Sequence, residues 1–236
     1  MRLFSAFCLL TLALVLLERI AAFCLAGPTT VPTILDPGDE YRLAFVTSTF
    51  RDATSLDIGV YNSFVDAIGD TVIESDWKVI ASTPDVDARD NTSTVPSTVA
   101  GGSFGVPIFL LNDTKLVDSN DDLWDGSLDI ALQIDETGLL AAEAEIWTGS
   151  DSDGTGQFEF ELGMPGPNGP ELGYNFRTNP TWIETGSRPP GAERQFYALS
   201  GTLAVAISVA IPEPSTIILL LLGAAGFFAC GRRRRR

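Results

Sequence analysis

Gln195-Phe196-Tyr197-Ala198-Leu199-Ser200-Gly201-Thr202-Leu203-Ala204-Val205-Ala206-Ile207-Ser208-Val209 is the strongest strand signal in the chain. Aromatic and β-branched residues fit a pleated, packed surface. Gly201 weakens the run at its middle and splits it into two candidate strands. Working outward, Tyr41 to Thr47 sets Tyr41, Leu43 and Phe45 against Arg42, Ala44 and Val46, the period-two signature of a strand. Trp77–Ala81, Val106–Leu111 and Ala144–Trp147 read as further short strands, and Phe158, Phe160 and Leu162 alternate. One segment has helical period: Asp57 to Ile68 carries Ile58, Tyr61, Val65 and Ile68 near one face, with Asp57 placing negative charge at its start. The polar stretches 28–40, 85–96 and 149–156 read as loops, and 115–124 reads as a loop with a short turn. Residues 163–175, rich in glycine and proline, read as an irregular excursion. The expected fold class is α+β, mostly β, with long loops and no internal repeat.

The order of these segments resembles the C-terminal, endostatin-like domain of collagens XV and XVIII, a compact variant of the C-type-lectin-like fold. The matching segments are Tyr41-Arg42-Leu43-Ala44-Phe45, Tyr61-Asn62-Ser63-Phe64, Trp77-Lys78-Val79-Ile80-Ala81-Ser82 and Val106-Pro107-Ile108-Phe109-Leu110-Leu111. They continue with Leu123-Trp124-Asp125-Gly126, Ile146-Trp147-Thr148-Gly149-Ser150-Asp151-Ser152-Asp153-Gly154 and Phe196-Tyr197-Ala198-Leu199-Ser200. The resemblance spans about residues 41–205 and implies a lectin-like architecture. The family's binding functions do not transfer with it. That family has two disulfides, a histidine-bearing zinc site and a basic heparin-binding face. The corresponding stretch here lacks cysteine and histidine and is acidic. The calcium-lectin motifs are also incomplete: Pro167-Asn168 lacks a preceding Glu, and Trp124-Asp125 is followed by Gly126.

Both ends of the chain read as addresses. At the N-terminus Arg2 precedes an apolar run from Leu3 to Leu17, and Cys24-Leu25-Ala26 offers a cleavage site before Gly27. The C-terminus reads Pro212-Glu213-Pro214, then an uncharged apolar stretch over 217–231, then Arg232, Arg233, Arg234, Arg235 and Arg236. As a helix, 217–231 spans roughly 22 Å, short of the ~30 Å hydrocarbon core. Ser215 and Thr216 extend it, and snorkelling arginines tolerate the mismatch. The arginine cluster predicts a cytoplasmic C-terminus. The three features in this order resemble the PEP-CTERM sorting signal of Gram-negative bacteria. That resemblance implies recognition by an exosortase, a membrane-embedded cysteine protease, and export to the cell surface or extracellular polymer. The expected organisation is a signal peptide over 1–26, a linker over 27–40, the exported domain over 41–210 and the sorting signal over 211–236. Within the last, a membrane helix occupies about 215–231 and the basic tail 232–236.

Removing the terminal segments changes the charge. Of 31 acidic residues only Glu18 and Glu213 leave; of 15 basic residues Arg2, Arg19 and the five terminal arginines leave. The remaining 29 acids and 8 bases give a net charge of −21, against −16 for the whole chain. Such a surface repels nucleic acid and suits divalent cations. Cys8, Cys24 and Cys230 all lie in the terminal segments, and the chain has no histidine. The exported part is therefore without disulfides, thiolate chemistry, Ser-His-Asp triads and histidine zinc sites.

Hard oxygen ligands in loops are what calcium requires. The candidate metal ligands are Asp118, Asn120 and Asp122, beside Asp121 and Asp125, and then Asp151 and Asp153 with Glu159 nearby. Gly154 comes fourth counting from Asp151, so no complete EF-hand loop is present. Asp85, Asp87, Arg89 and Asp90 form a polar knot expected to hold the chain through charge-assisted hydrogen bonds. Trp77, Trp124, Trp147 and Trp182 sit in or beside apolar segments and are expected in the core. No catalytic residue is assigned and no cofactor is expected, calcium being the one candidate; the alternative readings of the two acidic groups are a solvated loop over 118–125 and an ordinary tight turn at Asp151 and Asp153. The leading expectation is a non-enzymatic adhesion or ligand-binding protein of the cell surface or extracellular matrix. Its partners would be an exosortase-type protease, the membrane during sorting and a glycan or surface polymer. The alternatives are a secreted carbohydrate-active hydrolase using paired carboxylates and a purely structural envelope protein.

Overall fold

A computed structural model of the chain describes residues 27–165 and 169–207. The expected signal peptide, the Pro-Glu-Pro motif, the expected membrane helix and the arginine tail lie outside the described residues. The chain divides into two units, Met1–Val205 and Ala206–Arg236, and every element below belongs to the first.

Nine described strands form one sheet around β1 (Glu40–Val46) and β8 (Gln195–Leu199), which pair antiparallel with Ala44 opposite Leu199. The other edge of β1 carries β3 (Ile108–Leu110) in parallel, and β3 carries β4 (Lys115–Val117) antiparallel. The other edge of β8 is shared. Its C-terminal half pairs with β2 (Lys78–Val79), and its N-terminal half runs parallel to β5 (Glu145–Trp147). Outward from β5 follow β6 (Glu171–Tyr174) and β7 (Gly186–Ser187).

Gly201 lies in a bulge between two strands, β8 and the strand that follows it. Strand β9 (Leu203–Ala204) continues along β1, with Tyr41 opposite Leu203. Three residues, 200–202, therefore face two on β1, the one-residue excess of a β-bulge. Ser200 bridges the irregularity: its N–H donates to Leu43 O at 2.9 Å, and its hydroxyl accepts from Leu43 N–H at 2.9 Å.

Strand β1 is paired on both edges and covered on both faces, so its polar alternation does not mark solvent. Arg42 is buried, and burial pushes its guanidinium down to about 10 against the opposing field of Asp76. The helix α1 (Ile58–Gly69) begins where expected. Asp57 caps it by accepting Gly59 N–H at 2.8 Å, and Tyr61, Val65 and Gly69 form its buried stripe. Gly69 admits the Trp77 ring, since a Cβ there would lie 2.5 Å from it. Asn62 of α1 accepts Val79 N–H at 3.0 Å and bonds Asn91, which donates to Val79 O at 2.8 Å; two amides thereby satisfy part of the open edge of β2.

Several expected boundaries move. The segment 85–96 contains a helical turn, α2 (Ala88–Asn91), and 115–124 contains β4 ahead of its expected turn, which is α3 (Asn120–Leu123). Residues 158–162 form no strand despite their alternation. Phe158 is 80 % exposed and Glu159 takes a φ of 69°, which breaks the pleat. The excursion 163–175 contains β6, buried over Glu171–Gly173. The stretch 27–40 has little regular structure but is tied to the β3–β4 turn, with Thr29 N–H on Leu111 O at 2.6 Å and Thr33 N–H on Asp113 at 2.8 Å. All four tryptophans are buried, as their apolar flanks require.

Candidate functional site

The β4–α3 corner builds the first carboxylate group. Ser119 caps α3 by accepting Asp122 N–H at 3.2 Å, and this fixes Asp122 over the end of β4. Asp122 Oδ2 then accepts Asp118 N–H at 2.7 Å. Asp129 arrives from beyond the following loop because its N–H bonds Leu116 O of β4 at 3.2 Å. One carboxylate oxygen from each of Asp118, Asp122 and Asp129 lies within 4.8 Å of the others. Calcium bonds oxygen at 2.3–2.6 Å, so ligands on opposite sides of one ion are separated by roughly this distance. The donor set is all oxygen and partly open, which fits calcium or magnesium and not a thiolate- or imidazole-preferring metal. Lys115 pairs with Asp118 and competes for the position. Its ammonium is pushed up first by the hydrogen bond to Asp118, with Asp118, Asp129 and Asp122 adding to it.

The other residues of that loop serve the fold. Asn120 is buried, and its Nδ2 donates to Ser103 O at 3.2 Å. Asp121 accepts from the N–H and hydroxyl of Ser97 at 2.5 and 2.6 Å, and Asp125 accepts from Ser127. Asp129 lies outside the contiguous acidic run. The long-range bond to Leu116 that positions it leaves no local signal.

Asp151 and Asp153 occupy a tight hairpin closed by the Ser150–Gly156 bridge, with Asp151 N–H on Thr155 O at 2.9 Å. Asp153 Oδ1 accepts from Thr155 N–H at 2.9 Å and from its hydroxyl at 2.6 Å. Burial pushes the Asp153 carboxyl up, but these bonds and Arg89 outweigh it, and the group sits below the usual carboxylate range. Asp151 is pushed the other way, by burial first and then by Glu184, Asp153 and Glu161. Arg89 lies 3.9 Å from both Asp87 and Asp153, and so joins the polar knot to the hairpin. Asp87 also accepts Gly156 N–H at 2.8 Å. The two acidic regions that are separate in sequence are thus one locality, distinct from Asp118, Asp122 and Asp129.

Residues 210–235 match the PEP-CTERM protein-sorting motif. The motif contains Pro212, Glu213 and Pro214 and the arginines up to Arg235, and marks an exported protein sorted by exosortase. The chain matches no curated protein. Among the described residues, no helix is long and apolar enough to cross a membrane.

Proposed function

We propose that this chain delivers a non-enzymatic, lectin-like binding domain to the cell surface or extracellular matrix, where it engages a glycan or surface polymer. The observation that carries the reading is the sorting motif at 210–235, which commits the acidic domain to export. Pairing of the first and last long strands, β1 with β8, supports the lectin-like assignment, because it brings the two ends of the domain together and frees the intervening loops for binding. Asp118, Asp122 and Asp129 are the proposed calcium ligands of this module, and the ion would order the β4–α3 corner. Exosortase is the processing partner, and the membrane holds the chain, C-terminus inward, until release.

The test is retention of the exported protein on matrix polysaccharides and a glycan array, with calcium and with EDTA. Calcium-dependent retention, weakened about tenfold in Asp122→Asn, is the expected result. Absence of retention on every polymer would overturn the binding reading, and turnover of any polysaccharide would move the protein to the hydrolase class.

A further inference from the structure

The turn Thr83–Val86 and the start of α1 border one open cavity of about 390 Å³, lined by Leu56, Asp57, Ile58, Thr83, Asp85 and Val86. Its volume falls within the roughly 300–1,000 Å³ of small-ligand sites. Both walls are fixed by the fold. Thr83 N–H donates to Val86 O at 3.0 Å and Val86 N–H to Thr83 O at 3.1 Å, which closes the turn. On the other wall the buried Tyr61 hydroxyl accepts Ser55 N–H and donates to Ser55 O, both at 2.8 Å. Ser55 Oγ in turn accepts Asp57 N–H at 3.1 Å. Thr83 is the most deeply buried of the lining residues, at 2 % exposure, and its Oγ1 has no hydrogen-bond partner among the described residues. A buried hydroxyl without a partner weakens the fold and calls for a group to satisfy it. Leu56 is 56 % exposed and, with the half-buried Ile58 and Val86, gives the cavity an apolar wall. Asp85 is exposed, and Asp57 spends Oδ1 on Gly59 N–H, which leaves Oδ2 as an acceptor.

From this lining we propose that the cavity is a subsite for a sugar ring without negative charge. The apolar C–H face of the ring would lie on Leu56, Ile58 and Val86, and its hydroxyls would donate to the carboxylates of Asp57 and Asp85. One more ring oxygen or hydroxyl would partner Thr83 Oγ1 at the floor. Ionised acceptors make the stronger hydrogen bonds, so a small ligand can be held at an open site. The same two carboxylates, with no base among the described lining residues, reject a uronate or a sulfated sugar, whose anion would meet like charge with nothing to offset it. The proposal deepens the polymer-binding reading above and rests on it for the polymer that would carry the ring. It shares no residue with Asp118, Asp122 and Asp129.

The experiment uses the full chain in EDTA, in micelles of a detergent without a sugar headgroup. It is titrated, by calorimetry and saturation-transfer NMR, with methyl glycosides of glucose, mannose, galactose and glucosamine, and with methyl glucuronide. Glucosamine separates ammonium from hydroxyl recognition, and the glucuronide carries the excluded charge. The expected result is saturable binding of at least one non-acidic glycoside and much weaker binding of the glucuronide. Thr83→Val and Asp85→Ala should each weaken the bound glycoside by about three- to tenfold. Without sugar, the melting temperature of Thr83→Val should equal or exceed the parent's, because the hydroxyl it removes has no partner in the fold. If Thr83→Val fails to fold, Asp85→Ala provides the binding comparison. The subsite is overturned if no non-acidic glycoside binds, if binding is equal in the parent and both variants, or if the glucuronide binds as tightly. Retention on polymers is read separately. Retention without glycoside binding in the cavity sinks the subsite and spares the reading above; glycoside binding that the variants weaken, without retention on any polymer, keeps the subsite and sinks that reading.

Discussion

At the residue scale, the acidic side chains divide by what they touch. Glu171 is buried at the start of β6 and accepts Thr185 N–H at 2.7 Å and Gly186 N–H as well. Burial still pushes its carboxyl up, against those two bonds. A carboxyl raised by folding imposes no penalty while both states are protonated. The penalty grows as pH rises from the ordinary glutamate range to the raised folded value, and is complete above it. Glu171→Gln retains an acceptor for both N–H groups and removes the charge. It should raise the melting temperature by about 2–4 °C at pH 8, equivalent to roughly 1 kcal/mol, and should give no gain below about pH 4. Thermal denaturation followed by circular dichroism across pH checks this; an equal gain at all pH values would assign the effect to packing instead.

At the element scale, α1 and β6 show opposite relations to sequence. Helix α1 was legible because its signals are local. Its apolar stripe repeats with helical period, and Asp57 supplies the cap just before the first turn. With no acid in the first turn to substitute for that cap, Asp57→Ala should cost about 1 kcal/mol, visible as a lower urea midpoint with an unchanged slope. A midpoint equal to the parent's would show that the N–H groups find water at no cost. Strand β6 gave no such signal. Its Gly173 is required by tertiary contact, because a Cβ there would meet Trp182 O at 1.9 Å, and Glu171 is buried because β5 and β7 enclose the strand. The run at 158–162 misled for the converse reason. Its alternation has no partner strand, and the positive φ at Glu159 turns the chain out of register.

At the scale of the whole molecule, charge is the dominant property. The part between the terminal segments carries −21, while the ion pairs among its described residues are few and mostly at the surface, such as Lys78–Asp76 at 2.7 Å and Arg188–Glu145 at 2.7 Å. Pairs of this kind contribute about 0–1 kcal/mol each, so repulsion among the excess acids should prevail. Raising sodium chloride from 20 to 500 mM should therefore raise the melting temperature, because the Debye length shrinks below the spacing between surface charges. A fall with added salt would show that attractive pairs govern stability.

Sequence alone determined the destination of this protein and the character of its surface. The sorting motif, the acidic excess, and the lack of histidine and of cysteine outside the terminal segments are properties of composition and order, and need no fold to be read. It also determined α1 and the course of β1 and β8, whose patterns arise from neighbours along the chain. Tertiary structure decided which acids meet. Asp129 joins Asp118 and Asp122 through a bond to Leu116, and Glu161 comes beside Asp87 through the space that Gly156 leaves. Both groupings depend on distances between residues remote in the chain, set by strand register and close packing, which local periodicity does not encode.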